Sequence, residues 1–220
     1  MNPNLPAIVR TKNVTLDTNK VNNGILPLSE SHIIAKELCK AISMFYRSDP
    51  ELAAMTGIEQ ACVSRIFLYL NECIGELSKE DNQFKDYKID CEYNKHKQNP
   101  KRTSKCPEGT GALSRTDIAA RNRCENCFGQ SAKPNLIRPD LIVHERDNDR
   151  RNLLVVEFKC GKNKHTKNDK KKLKYLTCVN GYGYELGILV RLMETYQKTF
   201  KKMRYFINGQ EKPIPIMNLE

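Results

Sequence analysis

From residue 29 to residue 77 apolar side chains recur every three or four positions; beyond residue 86 they alternate or form short unbroken runs. The first spacing lines one face of a helix and the second is that of strands. Ser29-Glu30-Ser31 opens a helix predicted to reach about Tyr46, with Ile33, Ile34, Leu38, Ile42 and Phe45 on one face. Ser48-Asp49-Pro50 ends it, because proline disfavours helix in the residue before it. A longer helix is predicted from about Gly57 to Leu77, striped by Ile58, Cys62, Ile66, Leu70 and Cys73. Residues 1–28 are rich in Asn, Pro and Thr and read as a loosely held arm, with a short strand around residues 13–16.

Tyr87 to Asn94 alternates and predicts a strand, with Asp90, Glu92 and Asn94 on one face. Two apolar runs follow across a charged turn, Leu141-Ile142-Val143-His144 and Asn152-Leu153-Leu154-Val155-Val156-Glu157-Phe158-Lys159. A helix capped by Asp169 is predicted to end near Thr177, before Gly181 and Gly183. The continuous run Leu186 to Leu192 predicts an interior strand, Arg204 to Ile207 an edge strand, and Asn208-Gly209 a turn. Residues 95–137 are polar and Lys/Arg-rich, too long for an ordinary connection. They read as a loop inserted over a site or as a small metal-stapled lobe. The expected organisation is an arm and helix over residues 1–56 packed on an α/β domain over residues 57–220, with the Cys-containing insertion at 95–137.

The two apolar runs carry charge where they end. A strand repeats every two residues, so Glu157 and Lys159 share one side while Leu154, Val156 and Phe158 face a core. Asp140 opens the partner run and so lies near them. Adjacent carboxylates repel and raise each other's pKa unless a cation intervenes. A hard ion such as Mg²⁺ is the simplest such cation. The alternative is an ordinary ion pair between Glu157 and Lys159, which contributes little energy at a surface. Against it, Glu157 ends an apolar run, where a charge is costly unless paired or used.

The chain has 220 residues, 39% of them hydrophobic, and a formal net charge of +11. That charge favours polyanions, nucleic acid first. No stretch approaches the ~20 apolar residues needed to cross a membrane, and the first 30 residues lack the apolar core of an export signal. Nine scattered cysteines then suggest reduced thiols and a cytoplasmic setting. Cys124-Glu125-Asn126-Cys127, with Cys106 and His96 upstream, offers four ligands for structural Zn²⁺; free thiols or a redox pair are the other reading. Lys162, Lys164, Lys170, Lys171 and Lys174 are candidates for phosphate contacts, or else a solvated face. Arg138 has two candidate partners, a phosphate or Glu92.

Pro139-Asp140 followed by Glu157-Phe158-Lys159 resembles the PD-(D/E)XK nuclease motif. The expected element order, α-β-β-β-α-β with a central mixed sheet flanked by helices, is that of the restriction-endonuclease-like core. The motif falls on its second and third strands. The likeness extends over about residues 57–192. Ile58 to Leu70, Asp90 to Asn94, Arg138 to His144, Asn152 to Lys159, and Asp169 with Lys172-Leu173 and Thr177 look like a bacterial branch of that superfamily. The insertion at 95–137 and the helix before residue 50 depart from it.

The resemblance implies a Mg²⁺ (or Mn²⁺) site with Asp140, Glu157 and the Phe158 carbonyl as direct ligands. Glu59 on the first helix would hold a metal-bound water. Glu59 could instead be a dipole partner of the helix N-terminus, with Glu72 and Glu76 as competitors for the ligand role. Lys159 would orient or help deprotonate the attacking water and stabilise developing charge. The implied activity is metal-dependent hydrolysis of a phosphodiester, in DNA before RNA, leaving 5′-phosphate and 3′-hydroxyl ends. A homodimer is compatible with that activity. Two other readings stand beside it: a nucleic-acid-binding protein of the same fold without catalysis, and a zinc-stapled interaction module.

Overall fold

The computed structural model describes residues 29–55, 58–92, 137–146, 151–160, 166–179 and 181–213, and the backbone alone at 95–96 and 99–100. The elements in order are α1 (Glu30–Ser48), α2 (Pro50–Ala54), α3 (Glu59–Glu80), a 3₁₀ turn (Asn82–Phe84), β1 (Tyr87–Cys91), β2 (Lys95–His96), β3 (Asn99–Pro100), β4 (Leu141–Glu145), β5 (Asn152–Cys160), α4 (Lys167–Thr177), β6 (Leu186–Leu192), α5 (Tyr196–Lys202), β7 (Arg204–Ile207) and β8 (Gln210–Lys212). Six strands form one mixed sheet in the order β1-β4-β5-β6-β7-β8; β2 and β3 form a separate two-stranded ladder. The pair β5–β6 is parallel and the other pairs are antiparallel. Parallel neighbours need a crossover, and α4 supplies it. No helix among the described residues is long and apolar enough to cross a membrane.

Strand alternation sorts the core into two layers. Leu141, Val143, Leu154, Val156, Phe158, Ile188 and Val190 join α1 and α3 in the larger cluster. Ile142, Val155, Leu189 and Phe206 face the opposite way, onto Leu173, Tyr175 and Leu176 of α4. The central strands are thus covered on both sides, which is why β5 and β6 read as nearly unbroken apolar runs. Each large side chain buried there contributes roughly 1.5–3 kcal/mol. The N-terminal helix belongs to the larger layer: Ile34, Leu38, Ile42 and Phe45 are fully buried. It is pinned further by Tyr46, whose hydroxyl donates to the Met193 carbonyl at 2.7 Å.

Several expectations need correction. The stretch Arg204–Ile207 is not an edge strand, because β8 pairs with it outside and takes the edge. The turn between them does fall at Asn208-Gly209, both with positive φ (50° and 74°). The first strand ends at Cys91, where Glu92 turns into positive φ (47°); residues 93 and 94 lie outside the described residues. Asp169 does not cap α4: Thr166 is the N-cap, and Asp169 lies inside the first turn. Helices α2 and α5 were not foreseen, since five and seven residues are too short to display a helical period. The expected strand around residues 13–16 lies outside the described residues, as does most of the insertion at 95–137.

Candidate active site

The antiparallel register of β4 and β5, with Leu141 opposite Val156, carries Asp140 to the side of Glu157. The Phe158 amide donates to Asp140 Oδ2 at 2.7 Å and fixes that carboxylate in place. Alternation turns Val155, Glu157 and Lys159 towards the α4 side, while Phe158 enters the opposite core. Lys159 Nζ lies 3.1 Å from Glu59 Oε1 and 3.6 Å from Asp169 Oδ2. Glu59, in the first turn of α3, also accepts from the Cys160 amide through Oε2 at 3.2 Å. Its carboxylate therefore clamps the end of β5 rather than serving only the helix dipole. Asp140, Glu157, Lys159 and Glu59 come together from three separate segments.

Glu157 is completely buried. The Lys172 ammonium is in ion-pair contact with its Oε2, and Oε1 has no hydrogen-bond partner among the described residues. Burial pushes the Glu157 pKa well up, Asp140 adds repulsion, and Lys172 opposes both. Burial also raises the Asp140 carboxyl, against the Phe158 amide and the two lysines. Asp140 accepts from the Phe158 amide and Glu157 faces the Lys172 ammonium, and each partner opposes the effect of burial. Lys159 loses some charge preference to burial, but Glu59, Asp169 and Asp140 outweigh it and raise its pKa. It stands as an ammonium.

Two members of this cluster were not assigned to it from the sequence. Asp169 is buried, and Lys172 reaches back to it, 3.8 Å from Oδ1. Glu59, Lys159, Asp169, Lys172 and Glu157 thus form a chain of alternating carboxylates and ammoniums. The signal was available: Asp169 and Lys172 are one turn apart on α4, the helix that covers the charged face of β5.

Other predicted residues are dispersed. Arg138 is exposed and its Nη1 lies 3.6 Å from Glu92 Oε2. Lys170 is drawn to β8, with Glu211 Oε2 at 3.0 Å. Lys171 and Lys174 are partly exposed on α4. Glu76 pairs with Lys79 at 2.7 Å near the far end of α3, away from the cluster. Glu72 is exposed on the same helix. Lys162, Lys164, Cys106, Cys124 and Cys127 lie outside the described residues, as does the side chain of His96. A second polar knot ties β1 to β4: Asp90 accepts from Arg146 Nε at 3.1 Å and lies 2.8 Å from His144 Nε2.

Carboxylate oxygens are the donors a hard cation takes. When all are ionised, four carboxylates (Glu59, Asp140, Glu157, Asp169) against two ammoniums (Lys159, Lys172) leave two negative charges. Glu157 supplies buried oxygens, of which Oε1 has no hydrogen-bond partner among the described residues. Among the described residues, no three His, Cys, Asp or Glu side chains stand together in ion-holding geometry; in this cluster ammonium groups lie between the acids. Compared with protein-family models, curated proteins and solved structures, the chain finds no match.

Proposed function

We propose that the protein is a divalent-metal-dependent nuclease of the PD-(D/E)XK type, with a restriction-endonuclease-like core and the cluster at the end of β5 as its active site. The observation that carries this reading is the convergence of Asp140 and the buried Glu157 beside the ammonium of Lys159. The succession α3, β1, β4, β5, α4, β6, with β5 and β6 parallel, supports it.

Asp140 and Glu157 are the residues to hold Mg²⁺ or Mn²⁺, with the Phe158 carbonyl as third donor. When bound, such an ion offsets phosphodiester charge and lowers the pKa of coordinated water. The chain's own groups divide the remaining work. Glu59 is occupied by Lys159 and the Cys160 amide, so its part is to aim Lys159. A lysine held as an ammonium donates rather than accepts a proton, so Lys159 orients the attacking water and stabilises charge on the phosphoryl oxygens. The Phe158 amide favours the anionic form of Asp140 against the burial that raises its pKa. A chain with net charge +11 favours nucleic acid, with DNA tested before RNA, and the partly exposed Lys171 and Lys174 on α4 are candidates for contacts to its backbone.

The test is cleavage of DNA and RNA with Mg²⁺ or Mn²⁺ by the wild type, Glu157→Ala and Lys159→Ala. The expected loss is at least about 10²-fold in each variant. Equal cleavage by all three would show that the activity lies elsewhere. Tight nucleic-acid binding with no metal-dependent cleavage would favour a binding protein of this fold.

A further inference from the structure

We propose that Lys172 is the resident counter-ion of the metal-free site, holding the place against Glu157 that a divalent ion takes, so that loading requires its displacement. The inference rests on the nuclease reading and adds a residue to it.

Three observations carry it. The Lys172 ammonium is in contact with Glu157 Oε2, and Glu157 is fully buried. The pair is held out of bulk water, the Lys172 side chain being only 25% exposed. The ammonium also already reaches two further acceptors, the Arg138 carbonyl at 3.5 Å and Asp169 Oδ1 at 3.8 Å. The lysine is on α4, one turn from Asp169, and its flexible stem can carry the ammonium towards these acceptors when an ion arrives.

The physical need for such a device is plain. A buried carboxylate without a cation is expensive, and a protein that must release and regain its metal meets that state in every cycle. An ammonium is a workable substitute because it is a compact charge on a flexible stem. A divalent ion carries twice the charge and accepts more donors, so it wins where Asp140 and Glu157 both present oxygens. Lys159 cannot play this part, being held by Glu59 and Asp169. Lys172 is therefore a positioning residue for the empty site and a competitor for its ion.

The experiment is a calorimetric titration of Mn²⁺ into wild type, Lys172→Met, Lys172→Arg and, as a surface control, Lys198→Met, paired with melting curves in chelator. Lys172→Met is expected to bind Mn²⁺ at least about tenfold more tightly, because no ammonium must leave. It should also melt lower in chelator and gain more from added Mn²⁺. Lys172→Arg, whose planar fork grips a carboxylate at two points, is expected to bind Mn²⁺ more weakly than wild type. General repulsion alone would leave Lys172→Arg equal to wild type, and that equality overturns the proposal. Equal affinity in Lys172→Met overturns it as well. A wild type that takes up no Mn²⁺ would instead defeat the nuclease reading and this inference together. If Lys172→Met does not fold, the charge-retaining arginine variant still decides.

Discussion

Asp140 Oδ2 and the Phe158 amide are joined at 2.7 Å, across the point where the β4–β5 pairing ends. The bond replaces the next rung of a ladder with a side chain, and so presents a carboxylate where a strand would present only backbone. Asp140→Asn keeps an acceptor there and should change stability by less than about 1 kcal/mol. Asp140→Ala leaves the amide without its partner and should cost on the order of 1.5–3 kcal/mol. Both should lose metal-dependent cleavage. Urea melts alongside cleavage assays check the separation; an active Asp140→Asn would remove Asp140 from the site.

Glu157 predicts the opposite pairing of stability and activity. Its folded-state pKa lies well above the ordinary value of 4.5. Between those two values the folded protein keeps a proton that the unfolded chain has lost. Metal-free stability must therefore fall as pH rises through that window. Glu157→Gln removes this titration, so its stability should fall less steeply over the same range and should exceed that of wild type at its upper end, while cleavage is lost. Denaturation in chelator at a series of pH values reads this directly, and a wild-type slope of the other sign would contradict it.

Asp90 supplies the acid limb. Burial acts to raise its pKa, but His144 and Arg146 outweigh that and hold it well below the ordinary 3.8. The stabilisation is present above the unfolded value and is lost as pH falls below it towards the folded one. Asp90→Asn should be less stable at neutral pH by about 1.5–3 kcal/mol and lose less stability than wild type below about pH 4. Parallel acid melts of the two proteins check it.

Gly187 tests the packing of α4 on the sheet. A Cβ there would lie 2.8 Å from Thr177 Cγ2 and 3.2 Å from Phe206 Cβ. Gly187→Ala should cost about 1–3 kcal/mol by overpacking. Because α4 carries Asp169 and Lys172, the same change should also weaken cleavage. A variant as stable as wild type would mean that the helix has room to shift.

Much of this arrangement was legible in the sequence because period and chemistry agreed. The two helical stripes, the alternation of β1 and the apolar runs of β4, β5 and β6 all report burial, which the fold then satisfied. Asp140, Glu157 and Lys159 were legible because a two-residue period and an antiparallel turn leave little freedom in where they meet. Asp169 and Lys172 were missed because a short helix rich in lysine looks solvated from its composition. Which of its faces turns inward depends on the crossover from β5 to β6, a long-range fact. The place of β7 was misjudged for a similar reason: β8 is three exposed residues, Gln210–Lys212, with no apolar signal.

The lysines of α4 give a prediction about substrate. Lys171→Glu with Lys174→Glu should weaken DNA binding and lower the salt slope by about 2 if each meets one phosphate. Fluorescence titrations at several salt concentrations measure it; an unchanged slope would make this a solvated face.

Anomalous diffraction from crystals grown with Mn²⁺ tests the central claim most directly. The expected result is a metal peak bounded by the carboxylates of Asp140 and Glu157, absent in Glu157→Gln crystals. Mn²⁺ found only elsewhere, or a peak unaffected by that substitution, would contradict it.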